Sequence, residues 1–312
     1  MFITSNSNDH TGQITNEGFR HEDLGMVTSL QEDLDSFARV LQRLSPDLLV
    51  VDNPSADENY LAALHERTPL LAVIEDSVRL SNYPATVIIN PNLNAHLLRY
   101  PCDSETLLLL GTDYCPIPKE FDQYQDFQRS NPEKAKNVLI SFRDGDPRGV
   151  SLDIVRAIKN LDEQFLATVM VGKNFHKGEE LGQEIGLDSR FMVLPECNDI
   201  ARRMASSDII ICDPGDLYHS SLLLGLPAML VGYSASDAPV VGYASTNALA
   251  LPLGEAGSLD AELVRNSFKR LLNDKNERDR MSARSADVVD GLGRFRVAEE
   301  LLALCTVYNH KP

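Results

Sequence analysis

Eight short apolar runs spaced along the chain constrain its fold more than any other feature. "DLLVVD" (47–52), "PLLAVIED" (69–76), "ATVIINPN" (85–92), "NVLISF" (137–142), "ATVMVG" (167–172), "RFMVLP" (190–195), "DIIICD" (208–213) and "PAMLVG" (227–232) are near-continuous in aliphatic residues. A strand with one wet face alternates apolar and polar residues, so runs without alternation belong to strands covered on both faces. Between them lie segments of helical period, such as "SLQEDLDSFARVLQRL" (29–44) and "SLDIVRAIKNLDEQF" (151–165). In the second, Leu152, Val155, Ile158 and Leu161 recur every three residues. Strand alternating with helix predicts parallel sheets built from βαβ units.

At 312 residues the chain is near the limit of what one hydrophobic core serves, so two domains are expected. The segment "PIPKEFDQYQDFQRSNPEKAK" (116–136) is polar and interrupted by proline, which marks a boundary. The expectation is an α/β fold of two parallel-sheet domains facing across a cleft. An N-terminal domain would span 1–117, a linker 118–136 and a C-terminal domain 137–312. The last would close with "DGLGRFRVAEELLAL" (290–304), a Gly-Leu-Gly turn followed by an amphipathic helix. Ligands in open α/β sheets sit beyond the carboxyl ends of the strands, so the loops there are the place to look.

A formal charge of −17 argues against nucleic acid and against an anionic membrane surface, both of which need clustered Lys and Arg. Cys102, Cys115, Cys197, Cys212 and Cys305 are scattered with no C-x-x-C pair, which argues against zinc and against a disulfide framework. The N-terminus lacks a signal-peptide pattern and no run approaches the ~20 apolar residues of a membrane span. The expected setting is the cytoplasm, without membrane insertion. "VGKNFHKGEEL" (171–181) lacks Walker spacing, no G-x-G-x-x-G follows a strand and no G-x-S-x-G occurs.

The stretch "ICDPGDLYHSSLLLGLP" (211–227) ends a strand, turns at Pro214-Gly215 and enters a helix. A helix N-terminus offers unpaired N–H groups and partial positive charge to an anion. Asp216 is expected at the N-cap, where its carboxylate would compete with a diphosphate for those donors, and Asp213 adds a second negative charge. Two like charges about 4 Å apart at an effective dielectric near 20 repel by roughly 4 kcal/mol. A Mg²⁺ bridging Asp213 and Asp216 would relieve this; no other cofactor is suggested. His219, one turn into the helix, suits a general acid/base or a hydrogen bond to ribose or phosphate, and equally an ordinary polar surface position. Tyr218 would stack on a base or be buried. Asn247 would reach a ligand hydroxyl or fill a loop. Arg143, Arg148 and Lys173 follow adjacent strands and would neutralise a phosphate or stand solvated.

The blocks "VVDNPSADENYLAAL" (50–64), "VIEDSVRLSNYPATVIINPNLN" (73–94), "LLLLGTDYCPIPKEF" (107–121), "NVLISFRDGDPRGV" (137–150), "MVLPECNDIARRMASSDIII" (192–211), "LLLGLPAMLV" (222–231) and "DGLGRFRVAEELL" (290–302) occur in this order. Together they resemble the UDP-sugar hydrolases of pseudaminic acid biosynthesis and the related spore-coat polysaccharide proteins. That family is similar in architecture to GT-B glycosyltransferases, with two Rossmann-like domains and the UDP-sugar held mainly by the second.

Departures cluster at the chemistry. Family members open with a strand and a Gly-Ser-Gly-His loop bearing the expected catalytic base. Here "MFITSNSNDHTGQITNEGFRH" (1–21) resembles the family's second strand and helix, so the first domain reads as truncated. His10 is the early histidine left to weigh as a base. The family's ribose-binding glutamate falls on Ser220, its glycine pair on Pro214-Gly215 and its Asn-Gln pair on Ser236-Asp237. Its "GG-[ST]-D-P" has become Arg143-Asp144-Gly145-Asp146-Pro147, and an arginine expected before "EF" falls near Pro118.

The resemblance implies a nucleotide-sugar-processing enzyme of surface polysaccharide or nonulosonic acid biosynthesis, releasing UDP as a hydrolase or glycosyltransferase. The alternative is a catalytically degenerate relative acting as a binding or partner module. Ligand-binding candidates are Arg143, Gly145, Asp213, Gly215, His219, Ser220 and Asp237; His219 and His10 are the catalytic candidates. The expected partner is a nucleotide-sugar, and an open sheet edge in a truncated first domain would favour a homodimer or a partner chain.

Overall fold

A computed structural model describes residues 1–5, 11–195 and 199–309. His10 and Cys197 lie outside the described residues. The chain divides into two compact units, the first made of residues 1–90, 95–110 and 297–312, the second of 91–94 and 111–296.

The first unit contains β1 (Phe2–Thr4), α1 (Thr11–Asn16), β2 (His21–Asp23), α2 (Leu30–Leu44), β3 (Leu48–Val51), α3 (Glu58–His65), β4 (Leu70–Ile74), β5 (Val87–Asn90) and β6 (Leu107–Leu110). β1 pairs with β2 in a two-stranded parallel sheet, and a four-stranded parallel sheet runs β3-β4-β5-β6. α2 begins where Ser29 accepts a hydrogen bond from the Glu32 amide, an N-cap that fixes its start. Its apolar stripe of Leu30, Leu34 and Phe37 packs on a core containing Leu49, Val51, Leu71, Val73 and Ile88.

The second unit contains β7 (Asn137–Ser141), α4 (Val150–Ile158), β8 (Leu166–Val171), α5 (Gly178–Ile185), β9 (Phe191–Pro195), α6 (Ile200–Ser206), β10 (Ile209–Cys212), α7 (Asp216–Leu223), β11 (Ala228–Gly232), α8 (Ala238–Thr246), β12 (Ala250–Glu255), α9 (Ala261–Asn273) and α10 (Lys275–Ser285). α11 (Gly293–Asn309) begins in this unit. Its six strands run β12-β11-β10-β7-β8-β9, all parallel. Two cores cover the two faces: Val138, Ile140 and Ile211 point into one, Leu139, Ile210 and Leu230 into the other. This is why those strands read as unbroken apolar runs.

All eight apolar runs are strands. β2, whose three residues "HED" are all polar, went unread, and so did β6 and β12, for different reasons. The leucines of β6 are not β-branched and do not by themselves separate strand from helix. β12 contains Pro252 and Gly254 and carries a register shift opposite Leu230 and Val231, features of an edge strand. The helix expected over 151–165 stops earlier, at Ile158. Arg190 explains the stop: its guanidinium donates to the carbonyls of Lys159, Leu161 and Glu163 while lying over the Phe165 ring.

The stretch 118–136 has structure of its own. A 3-10 helix spans Lys119–Tyr124, Phe121 is buried, and Arg129 donates from Nε to the Leu224 carbonyl at 2.8 Å and from Nη1 to the Ser207 carbonyl at 2.7 Å. The Gly-Leu-Gly turn has a steric cause. A Cβ on Gly293 would meet the Cys115 carbonyl oxygen at 2.3 Å, so the backbones approach as only glycine allows. Arg294 then bonds the Ile117 carbonyl and the Asp122 carboxylate.

Candidate functional site

In the second unit the strand order reverses between β7 and β10, and the loops beyond the carboxyl ends of these strands hold most of the candidate residues. β7 delivers Arg143, β10 delivers Asp213, and β11 delivers Tyr233 followed by Asp237.

Arg143 joins these loops. Its amide donates to Asp213 Oδ1 at 2.8 Å, its Nε to Asp213 Oδ2 at 2.6 Å, and its Nη2 to the Asp237 carboxylate at 3.2 and 3.3 Å. Burial works to lower the Arg143 pKa, but the two carboxylates outweigh it and hold the guanidinium above its ordinary value. On Asp213 burial dominates and raises the carboxyl, with Arg143 opposing. The short charge-assisted bonds between them keep both groups ionised. Asp237 also accepts from the Tyr233 and Ser234 amides, at 2.7 and 3.0 Å.

Asp146 extends the network inward. Fully buried, it accepts from the Val150 amide at 2.9 Å, the Ser151 amide at 2.7 Å and the Tyr233 hydroxyl at 2.9 Å. It thereby satisfies orphan donors of the first turn of α4. Arg148 donates its amide to the Tyr233 hydroxyl at 3.1 Å and Nη2 to the Ala256 carbonyl at 2.8 Å. Both guanidinium carbons lie over the Tyr233 ring, at 5.7 Å for Arg143 and 5.5 Å for Arg148. Burial raises the Tyr233 phenol. Sequence reasoning missed Tyr233; the signal was its place one residue past a strand end, which it had used for Arg143. Asp146 was noticed only as a surviving Asp-Pro, and its contacts show structural work at the start of α4.

Gly145 has φ +71°, and a Cβ there would come within 2.3 Å of Gly172 Cα, so two strand-end loops touch through bare backbone. At Gly215 a Cβ would lie 2.8 Å from Asp213 Oδ2. The missing side chain lets that carboxylate turn back toward Arg143.

The structure corrects the expected cap on α7. Gly215, not Asp216, is the N-cap; Asp216 is the first helical residue, exposed, and no side chain caps the turn. Asp213 is engaged by Arg143, and no cluster of three or more His, Cys, Asp or Glu suited to a metal occurs among the described residues.

Asp216, His219 and Ser220 share one face of α7 by their i, i+3, i+4 spacing. His219 is 4% exposed and Ser220 1%, and His219 Nε2 and Ser220 Oγ are buried without a hydrogen-bond partner. Burial pushes the His219 imidazole down to about 4, with Asp216 opposing, so it is neutral at pH 7. Chemically, this turn offers free backbone donors, a neutral imidazole and a hydroxyl. Tyr218 is fully buried in the core, and Asn247 closes α8, donating to the Tyr243 carbonyl at 2.9 Å.

Solved structures share this architecture. Acinetobacter baumannii MurG superposes with a TM-score of 0.67 at 12% identity, over 96% of this chain and 90% of that one. The S. aureus MnaA–UDP co-structure matches at 0.67 and 17%, over 98% and 89%. UDP-GlcNAc 2-epimerase from Neisseria meningitidis bound to UDP-GlcNAc matches at 0.60 and 16%, over 96% and 91%. The chain has a GT-B fold. No family model matches it. An uncharacterized protein of Methanocaldococcus jannaschii is 22% identical across the whole chain, which spans about 60% of that protein's length. In GT-B terms the described network occupies the switch point of the second sheet, with the open turn of α7 beside it.

Proposed function

We propose that the chain binds and processes a nucleotide-sugar, with the nucleotide's phosphate oxygens at the first turn of α7. The observation that carries this reading is the uncapped turn together with His219 Nε2 and Ser220 Oγ, buried and unpartnered on the same helix. Leaving buried polar atoms unpaired costs about 1–3 kcal/mol each, a cost that a ligand oxygen in reach would offset. Support comes from neighbours of the same fold that carry UDP or UDP-GlcNAc.

The resemblance to UDP-sugar hydrolases refines the reading to release of UDP from a UDP-linked amino sugar, in surface glycan or nonulosonic acid synthesis in the cytoplasm. A water or acceptor hydroxyl would form a bond to the anomeric carbon as the bond to the diphosphate oxygen breaks. The electron pair would leave on UDP, whose charge the α7 donors would take.

Arg143 favours a second reading, a binding module without turnover, because its guanidinium is engaged by Asp213 and Asp237. Calorimetric titration with UDP and UDP-GlcNAc, with and without Mg²⁺, tests the first claim. The expected result is one-to-one micromolar binding that weakens in Ser220→Ala; absence of binding in every condition sinks it. UDP release assayed on the same samples separates the two readings.

A further inference from the structure

A separate concave site lies in the first unit, where the chain enters β3 and β4. α2 ends at Leu44, Ser45 turns the chain in the left-handed region at φ 43°, and Pro46 and Asp47 lead into β3. Arg67 and Pro69 lie between α3 and β4. With the C-terminal half of α2, these segments line a cavity of about 530 Å³, a volume within the range of small-molecule sites. Nucleotide sites of open α/β sheets lie beyond the carboxyl ends of the strands, so a cavity at the amino ends of β3 and β4 is of another kind.

We propose that this cavity binds a small phosphate ester rich in hydroxyl groups, such as a sugar phosphate, with the phosphate held by Arg39 and Arg67. The chain carries 46 acidic against 29 basic side chains, yet among the described residues neither of these arginines pairs with a carboxylate, and both line the same cavity. Arg39 donates from Nε to the Asp35 carbonyl at 3.3 Å and from Nη2 to the Ser36 hydroxyl at 3.2 Å, and Arg67 donates from Nη1 to the Ala63 carbonyl. These bonds steady both guanidinium groups and leave most of their N–H donors for a ligand. Arg43, one turn further along α2, shows the contrast: it pairs with Glu22 and does not line the cavity.

The rest of the lining selects among anions. A carboxylate has two oxygens, and one guanidinium fork satisfies both, whereas the three terminal oxygens of a phosphate can engage two arginines at once. Gln42 and Asp47 add a side-chain amide and a carboxylate, and among the described residues neither side chain has a partner within the chain. Asp47 repels a bare anion, but it accepts hydrogen bonds from hydroxyl groups, which a polyhydroxy ester brings with it. Leu41, Pro46 and Pro69 supply apolar surface for the C–H face of such a ligand.

Calorimetric titration of the full chain with glucose 6-phosphate, inorganic phosphate and glucose tests this. Glucose 6-phosphate should bind one-to-one with a Kd of about 1 mM or tighter, inorganic phosphate about tenfold more weakly, and glucose not measurably. Arg39→Gln and Arg67→Gln should each weaken glucose 6-phosphate about tenfold or more, and Arg67→Lys, which keeps the charge but loses the fork, should weaken it less. Asp47→Asn should narrow the gap between glucose 6-phosphate and inorganic phosphate. Arg43→Gln should change nothing. Both cavity arginines are exposed, so urea unfolding without ligand should give their variants the parent's midpoint. No binding of glucose 6-phosphate at about 10 mM overturns the proposal, as does equal affinity for inorganic phosphate, which would leave only a bare anion site. Binding that survives both Gln variants, or that falls equally in Arg43→Gln, overturns it too.

Discussion

The two units use similar strands to different effect. In the second, β7 is flanked by β8 and β10 and covered on both faces, and the loop beyond it is fixed by contacts to three other strand ends: Asp213, Tyr233 with Asp237, and Gly172. In the first, the strand-end polar groups turn inward over shorter spans. Glu75, 2% exposed, accepts from the Tyr83 hydroxyl at 2.7 Å, and Asn90 donates to the Tyr100 hydroxyl at 2.9 Å. A strand packed on all sides positions its loop against several neighbours at once.

The largest expected effect breaks the second unit where its loops touch. Gly145→Ala places a Cβ against the Gly172 backbone at a positive φ and should cost about 3 kcal/mol or more in urea unfolding. Gly12→Ala in the first unit, whose Cβ meets nothing within 4 Å, should not destabilise. Equal losses at the two sites would mean that the close approach at Gly145 does not exist in solution.

Next comes acid. The folded-state value of His219, about 4, lies below its ordinary 6.5. Between these pH values the unfolded chain binds a proton that the native chain does not. This contribution to stability is therefore complete above pH 6.5 and is lost as pH falls toward 4. A shift of this size corresponds to about 3 kcal/mol. Unfolding measured from pH 7 to 4.5 should show that loss in the parent and not in His219→Gln; parallel slopes would place His219 in contact with water.

A smaller effect concerns the ion network. Asp237→Asn removes one carboxylate from Arg143 and should tighten UDP binding about tenfold, near 1.4 kcal/mol. Weakened binding would instead assign Asp237 a direct role with the ligand.

What the sequence showed and what it hid follow from the same physics. Strands buried on both faces announced themselves, because Val138 to Ile140 and Ile209 to Ile211 leave no room for a polar residue. Two edge strands did not: β12 tolerates Pro252, and β2 is "HED". At the site, the turn at Pro214-Gly215 and the place of Arg143 just beyond a strand were legible. The partnership of Arg143 with Asp213 and Asp237, 70 and 94 residues away in sequence, was not. Nor was the cap on α7, since choosing between Gly215 and Asp216 rests on backbone angles that a Pro-Gly-Asp turn leaves open.

The smallest predicted effect sharpens the comparison most. Val50 is 45% exposed on the outer strand of the first unit, whereas Leu139, on the central strand of the second, is fully buried. Leu139→Ala should cost about 2–5 kcal/mol, while Val50→Ala should stay within about 0.5 kcal/mol. A large cost of Val50→Ala would mean that something covers that edge in solution.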